Sequence, residues 1–315
     1  MRWLALALGL LAGAPGAVSA GEADARLVKL ETAWRDWYAA HRVGDTALAV
    51  AEDGALGLSL ARDAAPGRAA PLASLSKAIT AACIADLERA GLVSYSAALA
   101  DYLPDAPEDL TVAQLLTHAG GVWPDGTQAR MWDWVNDAVN RFDEATAAAL
   151  ARPLETPSYR YNNENYAVLG RVVEVVTGTG FEEACAERVF EPLALETPAR
   201  NPRYGAFLPW GGWEMSAAEY ALFADATFAG VDPGAFPSAP VGRGARYGMG
   251  ALYFEAEGLR ITWHTGLLCF GSIDGAGAYF VQVAPGPTVA VTFDGCPGEG
   301  ALAALDQALL TALLR

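Results

Sequence analysis

Lysine is almost missing from this chain. Of its 21 Lys and Arg residues only Lys29 and Lys77 are lysine, and the rest are arginine. Histidine occurs 3 times, as His41, His118 and His264. With so few, and with no His-Glu-x-x-His and no Cys-x-x-Cys among the 4 cysteines, neither a dedicated metal site nor a cofactor is expected. Positive charge is short overall: 37 Asp and Glu leave a net charge of −16. That balance argues against nucleic acid or an anionic membrane surface as partner. The Gly-x-Ser-x-Gly turn of the α/β-hydrolases is absent. Beyond the N-terminus no apolar run is long enough to span a bilayer, and no internal repeat or low-complexity stretch interrupts the chain.

The N-terminus is a different case. Met1-Arg2-Trp3 is followed by an apolar run from Leu4 to Leu11 and by small residues ending Val18-Ser19-Ala20. This is the charged, apolar and small-residue order of a secretory signal peptide, so residues 1–20 are read as a leader cleaved after Ala20 and the protein as periplasmic or secreted. Export permits disulfides. Cys269 and Cys296 lie near the ends of C-terminal strand candidates and are the expected pair, whereas Cys83 lies inside an apolar helix and is expected to be a buried thiol.

Residues 22–40 place Leu27, Leu30, Trp34, Trp37 and Tyr38 at helical spacing. Two short apolar runs around Asp53-Gly54 predict a β-hairpin. From Ser74 to about Pro240 the chain reads mostly helical. Helices are expected over 74–90, over 112–116 capped by Thr111, over 163–178 and 180–190, and after Ser216, where Ser-Ala-Ala-Glu has a capping-box pattern. Beyond Pro240, residues 247–254, 259–265, 276–284 and 288–293 read as strands, and a helix spans 299–313. The fold class is therefore α/β (α+β): an antiparallel sheet built from both chain ends (about 21–70 and 241–315), flanked by terminal helices. A mostly helical region (about 71–240) is inserted between them, so that 21–315 form one domain.

Three short motifs carry chemistry. In Ser74-Leu75-Ser76-Lys77, serine and lysine fall on one face of a helix start, where free N–H groups and the helix dipole favour a developing anion. Serine needs a base, and a desolvated lysine one turn away can serve. In Tyr161-Asn162-Asn163, an acid/base phenol and an amide that both donates and accepts point the same way in an extended segment. In His264-Thr265-Gly266, at a strand end, the glycine permits close approach while His264 and Thr265 can bind substrate.

In this order the three motifs resemble the serine β-lactamase and penicillin-binding-protein superfamily, and more narrowly its class C β-lactamase-related branch. Leu99-Ala100-Asp101-Tyr102-Leu103-Pro104, Gln114-Leu115-Leu116-Thr117-His118-Ala119-Gly120-Gly121, Glu191-Pro192-Leu193 and Gly211-Gly212-Trp213 are similar to that branch as well, so the likeness covers about residue 24 to the C-terminus. The resemblance implies a β-lactamase/transpeptidase-like fold and an acyl-enzyme on Ser74. Lys77 would share or accept the proton, and Tyr161 would act as acid/base with a pKa lowered by Lys77. Asn163 would hold Lys77 and the substrate amide. His264 would stand where many members carry lysine, and Thr265 and Gly266 would line the substrate. The N–H groups of Ser74 and Leu267 would form an oxyanion hole. His118 belongs to a structural segment in this reading. Leu267-Leu268 is bulkier than the usual glycine-rich run and is expected to narrow the site. The function read from all this is hydrolysis of amide or ester bonds in small molecules or peptides, with D-amino-acid peptides or small esters as substrates, by a monomer. A class C-like β-lactamase and a non-catalytic binding protein on the same fold are the alternatives.

Overall fold

The computed structural model describes residues 20–41, 43–271 and 275–315; the expected leader lies outside them except for Ala20. The chain begins with α1 (Ala20–His41), whose Leu30, Trp34 and Trp37 are buried at the expected spacing. The hairpin follows as β1 (Thr46–Glu52) and β2 (Ala55–Arg62), turned by Asp53 and Gly54 at φ 53° and 75°. Next come β3 (Ala70–Pro71), a 3₁₀ turn at Ala73–Leu75 and α2 (Ser76–Arg89). The helical region continues with α3 (Val112–Leu116), α4 (Thr127–Trp134), α5 (Phe142–Leu150), α6 (Asn163–Thr177) and α7 (Phe181–Cys185). β4 (Ala199–Arg200), β5 (Trp213–Met215) and α8 (Ala217–Phe228) complete it. The C-terminal part is β6 (Ala239–Gly242), β7 (Ala245–Gly248), β8 (Ala251–Ala256), β9 (Leu259–Cys269), β10 (Gly275–Ala284), β11 (Thr288–Asp294) and α9 (Glu299–Leu314).

The main sheet runs β2-β1-β11-β10-β9-β8-β7-β6, antiparallel throughout. The two chain ends meet at its second and third strands, where Thr46 pairs with Phe293 and Ala51 with Thr288. Because strand side chains alternate, β1, β9, β10 and β11 each serve two cores. Leu48, Tyr279, Val281 and Val291 face α1 and α9; Ala49, Ala278, Phe280 and Ala290 face the helical region.

Local rules set the helix ends. Thr111 and Gln114 form a reciprocal capping box on α3. The Asn162 side chain caps α6 by accepting the Glu164 N–H at 2.7 Å, and Gly178 ends that helix at φ 73°. At α8 the box is half made: Ser216 accepts the Glu219 N–H, but the Glu219 carboxylate accepts the N–H groups of Glu196 and Thr197 instead.

Several expectations need correction. The helix expected at 74–90 is α-helical only from Ser76, with Ser74 in the 3₁₀ turn before it. The strand expected at 247–254 is two strands, broken where a side chain at Gly250 (φ 77°) would collide with the Lys77–Ala78 backbone. The helix expected at 180–190 becomes a π turn after Cys185. β6 and the small β3-β5-β4 sheet are strands that periodicity missed, being only two to four residues long. Cys269 and Cys296 are bonded, while Cys83 and Cys185 are buried free thiols.

Candidate active site

Ser74 is set by a strained turn. Ala73 before it has φ 48°, a region that costs a residue with a Cβ roughly 1–2 kcal/mol. Packing from β9 holds it there. A Cβ at Gly266 would collide with the Leu72 carbonyl and lie 2.8 Å from the Ser74 nitrogen, so only glycine lets the strand approach the turn this closely. β8 pairs with β9 only as far as Trp263, and β10 covers the other edge of β9 to Cys269. Among the described residues, the edge from His264 to Cys269 that faces Ser74 has no strand partner.

Lys77 lies one helical turn below Ser74 and is fully buried, at 0 % exposure. Its amine makes three hydrogen bonds, to Ser74 Oγ at 3.2 Å, Asn163 Oδ1 at 2.8 Å and the Trp210 carbonyl at 2.9 Å. It also lies 4.8 Å from the Tyr161 ring centroid. Burial lowers its pKa from 10.5 to about 7, against the pull of Asp125 the other way. The sequence asked for a desolvated lysine, and burial is the cause that lowers it. A neutral amine has two N–H donors and one lone pair. The 3.2 Å contact is the longest of the three, and it is the one that reverses, with the Ser74 hydroxyl donating to the amine.

Tyr161 enters from the segment before α6. Burial raises its pKa well above the ordinary phenol value, the opposite of the expected lowering, and its closeness to Ser74 offsets this only in part. Its hydroxyl is buried and makes no hydrogen bond of normal geometry among the described residues, so it is a phenol with a proton to give. His264 is 6 % exposed, and its ring lies 5.9 Å from Tyr161 and 6.0 Å from Tyr247. Desolvation first, then Lys77, lowers its pKa to about 3, so it is neutral. His264, Gly266 and Leu268 are the buried residues of this half of β9, on the side toward Ser74. Thr265 is half-buried and alternates with them. Leu267 alternates too, and its side chain packs in the core under α1 and α9, while Leu268 joins the core on the other face. Leu267 therefore does not narrow the site with its side chain; the strand period turns it away.

The motifs missed a second layer. Asp125 and Thr127, at the start of α4, bond the Asn163 backbone and side chain at 3.1 and 3.0 Å. The Trp210 carbonyl bonds Lys77, and the Tyr247 ring packs tilted against His118 and edge-on to Tyr161. Pro124-Asp125-Gly126-Thr127 is a readable turn signal, but nothing in it says which helix it faces. His118, at φ 55°, receives the Asn162 N–H at Nδ1 and contacts Asn165, which braces the tyrosine segment as a structural residue should.

A serine with a buried lysine one turn away, a phenol and a strand edge is the arrangement of a β-lactamase-fold serine hydrolase. Residues 30–293 match the Beta-lactamase family, and the chain belongs to it. Penicillin-binding protein 4 of Amycolatopsis lactamdurans is 30% identical over 136 residues, 41% of this chain and 35% of that protein. Penicillin-binding protein 4* of Bacillus subtilis (strain 168) is 32% identical over 139 residues, 42% of this chain and 31% of that protein. The match thus spans about a third of either relative. Among solved structures, the D-amino acid amidase from Ochrobactrum anthropi SV3 superposes with a TM-score of 0.71 at 18% identity, over 90% of this chain and 99% of that one. The class C β-lactamase from Rhodobacter sphaeroides gives 0.68 at 18% identity, over 90% and 98%. At such identities the likeness is one of fold.

Proposed function

We propose that the protein is an exported serine hydrolase that cleaves amide or ester bonds through an acyl-enzyme on Ser74, with D-amino-acid peptides or amides and small esters as its substrates. The observation that carries this is Lys77, buried, titrating near neutrality and 3.2 Å from Ser74 Oγ. Neutral Lys77 takes the Ser74 proton as Oγ attacks the carbonyl carbon. The N–H groups of Ser74 and Leu267 receive the charge that develops on the carbonyl oxygen. Tyr161 is suited to protonate the leaving amine or alkoxide and to recover a proton from the ammonium of Lys77. Water then attacks the acyl group, and Ser74 regains its proton.

His264 supports the substrate class. It fills the strand position with a neutral ring rather than a fixed cation, which suits an uncharged group better than a carboxylate. The Cys269–Cys296 disulfide supports an oxidising compartment.

The test is covalent labelling. The folded protein is incubated with a fluorophosphonate and with a fluorescent penicillin, and peptide mapping reads the adduct. Label on Ser74, lost in Ser74→Ala, is expected; no adduct from either reagent on the folded wild type overturns the proposal. Nitrocefin turnover as fast as that of a p-nitrophenyl ester would move the substrate to β-lactams.

A further inference from the structure

The two ends of the Asn163 amide have nearly the same shape, so its neighbours must dictate which way it faces. At one end stands Lys77 Nζ, 2.8 Å away, a donor that calls for the amide oxygen. At the other stands Thr127 Oγ1, 3.0 Å from Nδ2. A hydroxyl has one proton, and Thr127 gives it to Asp125 Oδ1 at 2.7 Å, because a carboxylate can only accept. The Thr127 oxygen is left with lone pairs alone and calls for the amide NH2. Asp125 is fixed in turn by the N–H groups of Thr127 and Asn163 and by Gln128 Nε2, at 3.0, 3.1 and 3.0 Å. Thr127 is 1 % exposed, so water does not compete for its hydroxyl. The chain Lys77–Asn163–Thr127–Asp125 therefore has a single direction, fixed at its far end by a carboxylate.

We propose that Thr127 and Asp125 are positioning residues for the Ser74 reaction: they lock the Asn163 amide with its oxygen on Lys77 and so hold the base against the Ser74 hydroxyl. This rests on the reading of Lys77 as the base. Without the Thr127 hydroxyl the amide is free to turn its NH2 toward the amine, donor against donor, and the amine loses one of its three partners. Asp125 adds a second effect through charge. The groups facing the amine are the rings of Tyr161 and Tyr166, the Trp210 carbonyl, Asn163, Ser74 and the neutral His118 and His264; of the charged groups, Asp125 is the one that favours its protonated form.

The scarcity of lysine makes the test clean. With lysine labelled by ¹³C at Cε, the protein gives two side-chain signals, from exposed Lys29 and buried Lys77, and a pH titration reads Lys77 directly. Thr127→Val keeps the shape and removes the hydroxyl. It is expected to lower kcat for a p-nitrophenyl ester about 100-fold with little change in KM, as misplaced catalytic groups do. It should also shift the Lys77 titration while leaving Lys29 alone. Thr127→Ser should recover kcat to within about 3-fold of wild type, since it restores the hydroxyl. Asp125→Asn should lower kcat and move the Lys77 midpoint to lower pH. If Thr127→Val is folded and keeps the wild-type kcat and Lys77 titration, or if Thr127→Ser is no better than valine, the proposal falls. If valine does not fold, the serine and asparagine variants decide it by the same two readouts. A wild type that acylates no reagent overturns the hydrolase reading, while the Lys77 titrations still judge the lock separately.

Discussion

The two faces of the central strands β1, β11, β10 and β9 are made from alternate residues of the same strands, yet they support different things. On the face toward α1 and α9, Leu48, Tyr279, Val281 and Val291 meet Leu30, Trp34, Leu305 and Leu309 in a core whose polar groups are tied off locally, as with the Tyr279 hydroxyl on Asp306. On the opposite face the same apolar packing surrounds Lys77, His118, Asn163 and His264, all buried. The first face stabilises the sheet. The second uses its dryness to alter chemistry, because the desolvation that would penalise any buried charge is what sets Lys77 near pH 7 and keeps His264 neutral.

Substitutions on either face sharpen the contrast. Lys77→Met keeps the length of the side chain and removes the proposed base; hydrolysis should fall by about 10²–10⁴ while circular dichroism stays native. Leu309→Ala on the opposite face should cost about 2–5 kcal/mol in denaturant unfolding, yet leave kcat per folded molecule unchanged. A matching loss of kcat would show that the two faces are not independent. The smallest effect is in pH. Activity should fall about tenfold per unit below pH 7 as Lys77 takes up a proton. Stability should also drop between pH 6.5 and about 3, where the unfolded chain protonates His264 and the native site does not; the group adds no further loss below that window. His264→Gln should flatten this part of the stability curve, and a curve of unchanged slope would assign it elsewhere.

The sequence was most legible where chemistry is local. Thr111 acts within one helical turn, and the Ser74–Lys77 spacing is close to a helix pitch, so these positions could be read in isolation. The sheet drawn from both ends was legible because strands gather at the two termini and helices between them. What was not legible depends on contacts between distant segments. The break at Gly250 exists because α2 passes beneath it, and Ser74 sits in a 3₁₀ turn because β9 presses on it. The Tyr161 phenol is raised rather than lowered because the space around it is dry, and dryness is a property of the whole packing. Asp125 and Thr127 carried a turn signal without an address. Leu267 was misjudged by one strand position, which is enough to reverse its face.

The close fit of Gly266 against the Ser74 turn has a consequence in time. Ser74 and Lys77 are synthesised early and Gly266 late, and β1 waits for β11 before it has a neighbour on its inner edge. Pairings between such distant segments form slowly, after the local helices. A growing chain therefore carries the proposed nucleophile and base long before the strand that shapes them arrives. Acylation of Ser74 during translation or refolding should thus mark the completion of the sheet, and an active-site label doubles as a stopwatch for the last step of assembly.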